Sequence, residues 1–314
     1  MNTSIHTKTH HMGNGLYLVD LDQELTGFRQ FISSWIYQRD GANYVVDPGP
    51  SSTIHLLVEA LQKLDIHQVH YILLTHIHLD HAGGTGHLLQ AFPQARVICH
   101  PKGIPHLIDP TKLWRGSLNV LGKIAKTYGR LKPVPAPAIG YKELLEGQRI
   151  DVVETPGHAS HHVSYVMDGI LFAGEVAGVS INGEQNDHLL RIATPPKFIY
   201  EIYEASLQKA SRIEAEKMCF GHYGMRTDVK DVFARAKDQL QLWMDIVRKH
   251  YARGSDRPEQ AIYNDILQHD PALSSFHQLP PDIRQREHYF CLNSIKGMYE
   301  YVKEKDKTAS FSPA

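Results

Sequence analysis

Short apolar runs bounded by turn residues alternate with stretches of helical period along most of this chain. Ser34 to Tyr37 and Tyr44 to Val46 read as strands, and Asp40-Gly41 between them is a hairpin signal. After Asp47-Pro48-Gly49-Pro50, the positions Ile54, Leu57, Val58, Leu61 and Leu64 follow a helical period, with Ser51 or Ser52 expected as the cap. Val69 to Leu74 is short and rich in large aliphatics, which predicts a buried strand. A helix from Gly84 to Phe92 stops before Pro93, and Arg96 to Cys99 is the next strand. This alternation implies a sheet covered by helices. From Ile150 to Glu175 the pattern turns antiparallel, with Asp168-Gly169 folding Val163–Met167 back onto Ile170–Phe172. Beyond Arg226, the steps Val229, Phe233, Ala236, Leu240, Trp243 and Val247 predict a long amphipathic helix ended by Gly254. A shorter helix over 259–268 and a last one carrying Cys291, Ile295, Met298 and Val302 follow, with a frayed end over 308–314. Periodicity alone establishes a mixed α and β protein.

The chemistry concentrates where the strand Val69–Leu74 ends. His76, His78, Asp80 and His81 fall within six consecutive positions. Alternate residues of extended chain point the same way, so His76 and His78 can converge on one ion. Asp80 and His81 come after the turn and can face a second. Neutral imidazole and ionised carboxylate are the usual ligands of zinc and related divalent metals. Four such groups buried without a metal would be costly.

The pattern His-x-His-x-Asp-His after a strand resembles the metallo-β-lactamase superfamily. Three further segments carry the resemblance: Thr155-Pro156-Gly157-His158, Leu171-Phe172-Ala173-Gly174-Glu175 and Cys219-Phe220-Gly221-His222, in the expected order over about residues 16–225. The resemblance implies an α/β fold, the αββα sandwich, over residues 1–225, with a flexible 1–15 and a helical extension over 226–314. It implies a first metal on His76, His78 and His158 and a second on Asp80, His81 and His222. Glu175 stands where the superfamily usually has aspartate. It bridges the two ions, binds one of them, or orients a ligand histidine. Asp47 resembles the aspartate that supports the metal loop from behind. Tyr223 is either an oxyanion donor or a packed tyrosine.

The implied activity is a metal-dependent hydrolase in which a hydroxide between two divalent ions, zinc foremost and iron or manganese otherwise, cleaves a small-molecule ester, lactone or thioester. Asp80 would orient that hydroxide. Two alternatives remain: a single-iron enzyme that oxidises a sulfur substrate with oxygen, and a non-catalytic binding module.

Composition narrows the partners. A net charge of −1 over 314 residues gives no global field for nucleic acid or an anionic membrane. The helical extension lacks a basic recognition helix. No apolar run reaches bilayer-spanning length. The N-terminal segment, with His6, His10 and His11, has no basic-then-apolar signal region, so a cytoplasmic location is expected. Cys99, Cys219 and Cys291 read as buried free thiols. Residues 101–142 contain His106-Leu107-Ile108-Asp109-Pro110 and Leu113-Trp114, which resemble a microbial subgroup of the superfamily. Between Pro110 and Tyr141 stand six cations and no acid. This segment is a lid steering an anionic small-molecule substrate, or the solvated face of a helix. The C-terminal helices pack on the sandwich, cap the site, or form a homodimer interface.

Overall fold

The computed structural model describes residues 8–182, 188–254 and 258–310. Seven strands form the first sheet in sequence order: β1 (Thr9–His11), β2 (Leu16–Asp20), β3 (Ser33–Arg39), β4 (Ala42–Val46), β5 (Tyr71–Leu73), β6 (Arg96–Ile98) and β7 (Ile139–Gly140). β1 to β4 form an antiparallel meander, and β4 to β7 run parallel. The second sheet uses β8 (Asp151–Glu154), β9 (Val163–Met167), β10 (Ile170–Gly174), β13 (Lys217–Phe220) and β14 (Met225–Arg226), in the order β14-β13-β10-β9-β8. A separate hairpin, β11 (Val179–Asn182) with β12 (His188–Arg191), lies between β10 and β13 in sequence.

Alternation explains the layers. On β3, β4 and β10, Trp35, Tyr37, Tyr44, Val46, Ile170 and Phe172 fill the core between the two sheets. Their neighbours Ile36 and Val45 instead face a core shared with the helix α1 (Ile54–Lys63). Leu171 and Ala173 face the core of the C-terminal helices. The result is two sheets between two helical layers. Both Asp-Gly turns adopt the positive φ that a two-residue hairpin needs: 49° and 77° at Asp40-Gly41, 46° and 74° at Asp168-Gly169. Asp168 also accepts from Tyr37 Oη and forms an ion pair with Arg39 Nε, each at 2.8 Å, joining the two sheets.

Three expectations change. Residues 1–15 are not uniformly loose: β1 pairs with β2, and His10 meets Asp20 at 3.1 Å, while residues 1–7, with His6, lie outside the described residues. Neither serine caps α1. Ser51 Oγ donates to the Tyr128 carbonyl, Ser52 Oγ to Gln23, and a 3₁₀ turn over Ser51–Thr53 leads into the helix. The last helix continues through Ser310 rather than fraying from 308.

The remaining helices are α2 (Leu79–Ala82), α3 (Thr85–Ala91), α4 (Ile104–Ile108), α5 (Thr111–Leu121), α6 (Lys123–Tyr128), α7 (Tyr200–Ala210), α8 (Val229–Ala252), α9 (Glu259–His269) and α10 (Pro281–Ser310). No described helix is long and apolar enough to cross a membrane. The three cysteines are buried and free.

Asp270, just after α9, anchors the C-terminal layer. It accepts from the Trp243 indole and the Gln239 amide at 2.7 Å each, and from Ala272 N at 2.9 Å. Gln239 in turn covers β12, donating to the Leu190 carbonyl and accepting from Ile192 N. Asp270→Ala strands these donors inside the core. We expect a loss of about 2–3 kcal/mol of stability in urea unfolding. A loss under about 0.5 kcal/mol, typical of surface substitutions, would contradict this role.

Candidate metal centre

The site lies where chain leaves the C-terminal ends of five strands. Asp47 follows β4, the segment from His76 to His81 follows β5, His158 follows β8, Glu175 follows β10, and His222 follows β13. The loops after these strands meet at one edge of the sandwich.

Two groups assemble there, His76 with His78 and His158, and Asp80 with His81 and His222; in each, the candidate ligand atoms lie within 4.8 Å of one another. In the first, His158 Nε2 is 3.0 Å from His78 Nδ1. In the second, His81 Nε2 is 3.3 Å from His222 Nε2 and Asp80 Oδ2 is 3.5 Å from His222 Nε2. Glu175 lies between the groups. Its Oε1 is 3.1 Å from His81 Nε2, 3.3 Å from His222 Nε2, 3.4 Å from His158 Nε2 and 3.6 Å from His76 Nε2.

The imidazoles are held by their other nitrogens. His158 Nδ1 meets the Ala193 carbonyl and His222 Nδ1 the Phe31 carbonyl, both at 3.0 Å. His81 Nδ1 lies 3.2 Å from Asp47 Oδ2. That same oxygen accepts from Thr75 Oγ1 at 2.6 Å, and Thr75 Oγ1 lies 3.0 Å from His76 Nδ1. Asp47 Oδ1 takes the Thr75 backbone N–H at 2.8 Å. One buried carboxylate therefore supports an imidazole from each group. Donation through Nδ1 leaves each Nε2 lone pair facing inward.

Burial and neighbouring imidazoles push the His76 and His78 pKa values down, His78 to about 3, so both rings stay neutral. Burial alone would raise Asp80 and Glu175. The surrounding histidines, His81 for Asp80 and His158 for Glu175 foremost, outweigh it and hold both carboxyls ionised. Burial would likewise lower His81, but Asp80 and Asp47 override it and hold that ring well above its usual range.

Neutral rings and ionised carboxylates are the forms that bind metal, so His81 and His222, both raised by the carboxylates facing them, would release a proton as an ion binds. His76 Nε2 is buried with no hydrogen-bond partner. Such an orphaned acceptor, surrounded by other nitrogen lone pairs and a carboxylate, fits a divalent cation.

Two other residues neighbour the ligands in sequence. Tyr223 does not face the site: its hydroxyl donates to Asp20 Oδ1 at 2.8 Å, and burial beside that carboxylate pushes its pKa up. His162 escaped the sequence reading. Its Nε2 accepts the Glu175 N–H at 2.9 Å, and its Nδ1 meets Thr155 Oγ1 at 2.9 Å. Gly174 has φ 57°, and a Cβ there would collide with the His162 ring. The cluster His158-Ala159-Ser160-His161-His162 was the available signal.

The centre opens into a cavity of about 790 Å³. α5 lines it with Lys112, Leu113, Ser117, Val120 and Leu121, so segment 101–142 supplies a wall rather than only a solvated face. α10 lines it with Phe290, Asn293, Ser294 and Lys296, so the C-terminal extension also borders the site.

A profile of the metallo-beta-lactamase superfamily matches residues 27–222. The chain belongs to the metallo-beta-lactamase superfamily. Within it, the metallo-beta-lactamase fold-containing protein ST1585 of Sulfurisphaera tokodaii is 30% identical over 234 residues, 70% of this chain and 84% of that protein. A hydroxyacylglutathione hydrolase of Aeromonas salmonicida is 30% identical over 183 residues, 55% of this chain and 61% of that enzyme's length. The crystal structure of TTHA1429, a metallo-beta-lactamase family protein from Thermus thermophilus, shares the fold at TM-score 0.64 and 21% identity, covering 94% of this chain and 95% of that one. Superfamily members are generally hydrolases with metal sites, and candidate metal-binding groups are present here.

Proposed function

We propose that this chain is a binuclear metallo-hydrolase, zinc-dependent, acting on a small-molecule ester or thioester. The carrying observation is the place of Glu175 Oε1, within 3.6 Å of two imidazoles from each group. Two ligands at about 2.0–2.2 Å from one tetrahedral ion lie roughly 3.3–3.6 Å apart, so this single oxygen has the spacing of a shared ligand to two ions. The longer side chain of glutamate thus reaches the bridging place. The likeness to hydroxyacylglutathione hydrolases, named for an acyl-glutathione thioester, supports the substrate class.

Two divalent ions bound there would supply Lewis acidity and lower the pKa of water toward neutrality. The protein's own groups do the rest. Asp80, ionised and bordering the cavity, accepts a hydrogen bond from the attacking water and orients it. Asp47 keeps His81 and, through Thr75, His76 in the ligating tautomer. Phe31, Ile77 and Phe290 line the cavity with apolar surface, which excludes water around the scissile bond. The single-iron alternative has no observation in its favour, since both outer ligand groups assemble.

The test is turnover of acyl thioesters and aryl esters by zinc-loaded protein, with and without chelator. Activity lost on chelation and restored by zinc is expected. Activity indifferent to chelator would remove the proposal. A second expectation concerns Glu175→Gln. Losing the shared anionic oxygen should weaken the more loosely held ion about 10–100-fold, read by competition with a chromophoric chelator. Unchanged affinity for both ions would assign Glu175 an orienting role instead.

A further inference from the structure

One wall of the cavity carries charge that metal ligation does not use. Arg191, at the end of β12, is 3% exposed yet lines the cavity. Its Nε donates to Glu287 Oε2 at 2.6 Å and its Nη1 to the Ile192 carbonyl at 3.2 Å, while its Nη2 has no protein partner among the described residues. The other oxygen of Glu287 is already taken, accepting from Arg286 Nε at 2.7 Å. Arg286 is buried, donates to the Gly27 carbonyl and stacks 4.1 Å over Phe31. Two buried guanidiniums against one carboxylate leave one positive charge in surplus. The carboxylates that line the cavity, Asp80 and Glu175, both face the imidazoles. Lys102, Lys112 and Lys296 also line it, and none of the three forms an ion pair among the described residues.

A surplus cation in a low-dielectric wall attracts an anion far more strongly than one in water. A guanidinium clamped through Nε and Nη1 is already oriented, so little freedom is lost when a carboxylate docks. Beside it the cavity is apolar. Leu113, Val120 and Leu121 of α5 and Phe290 of α10 contribute, and Val120 is 56% exposed despite its size. The complementary ligand has an apolar body and an anionic end.

We propose that Arg191 is a substrate-anion receptor, and that the substrate is an acyl ester or thioester bearing a carboxylate a short apolar chain away from the scissile carbonyl. This rests on reading the cavity as a hydrolase site. The Arg286–Phe31 stack and Glu287 are positioning groups for that receptor.

The test uses two hydrolysis-resistant probes, adipic acid monoamide and hexanamide, with calorimetric affinities on the zinc-loaded full chain. Wild type should bind the anionic probe at least about tenfold more tightly. The double variant Arg191→Gln/Glu287→Gln keeps one surplus cation, Arg286, and removes only the receptor. There the preference should fall to about two-fold or less, which separates the receptor from direct carboxylate capture by zinc. Lys296→Met, at an exposed position, should reduce it only two- to three-fold. Circular dichroism checks the fold of the double variant. If that variant does not fold, Arg191→Lys, which keeps the charge and loses the planar fork, should lower the preference at least about threefold. A wild-type preference near one overturns the proposal, as does a full preference in the folded double variant or, failing that, in Arg191→Lys. Turnover of adipoyl and hexanoyl thioesters is read separately. Cleavage of neither, with the binding preference intact, removes the hydrolase reading and leaves the receptor; cleavage without preference does the reverse.

Discussion

His158→Ala is expected to lower kcat/KM by about a thousandfold or more, equivalent to roughly 4 kcal/mol of transition-state stabilisation. His158 joins the first ligand group through Nε2, 3.0 Å from His78, and also lies 3.4 Å from Glu175 Oε1. Removing it leaves His76 and His78 to hold an ion with the carboxylate alone. The side chain borders the cavity rather than filling the core. Its loss should therefore leave the metal-free protein within about 1 kcal/mol of wild-type stability. Activity and urea unfolding measured on one preparation separate the two effects. Near-normal turnover in a folded variant would remove His158 from the site.

Asp47→Ala should have the second largest effect, on stability and metal affinity together. Three donors converge on this buried carboxylate: Thr75 N, Thr75 Oγ1 and His81 Nδ1. Its loss strands them and frees the tautomers of His76 and His81. Breaking one partner of such a buried ionic network costs about 3–5 kcal/mol. Losing the support of a ligand imidazole lowers metal affinity about 10–100-fold. Because Asp47 reaches both groups, both ions should loosen, unlike the unequal effect expected of Glu175→Gln. Chelator competition reads the affinities and urea unfolding of metal-free protein reads the stability. Two affinities within about twofold of wild type would show that Thr75 and the strand ends suffice without it.

Much of the centre was legible because local chain geometry dictates it. His76, His78, Asp80 and His81 follow one strand, and two residues of extended chain then one helical turn separate them into two groups. His158, Glu175 and His222 were found through family resemblance, since nothing local says that β8, β10 and β13 end at one edge. Asp47 was visible for the same reason, and its two-way support of His76 and His81 was not, because it runs through the Thr75 hydroxyl. Tyr223 packs away from the site although it adjoins His222: a φ of 31° turns the chain and Asp20 takes the hydroxyl. Arg191 and Glu287 were invisible, being 96 residues apart with no periodic signal joining them. The role of α5 was left open by its amphipathic pattern, which suits a solvated helix and a cavity wall equally. The β11–β12 hairpin, Val179–Asn182 with His188–Arg191, was also missed, since strands of four residues carry little periodic signal.

The most direct test of the account is metal stoichiometry. Protein stripped of metal, dialysed against buffered zinc and analysed by inductively coupled plasma mass spectrometry should hold two zinc ions per chain. Thioesterase activity should rise as the sites fill. One ion per chain at saturation, or an enzyme active only with a single iron and consuming oxygen, would contradict the binuclear hydrolase and the bridging place of Glu175.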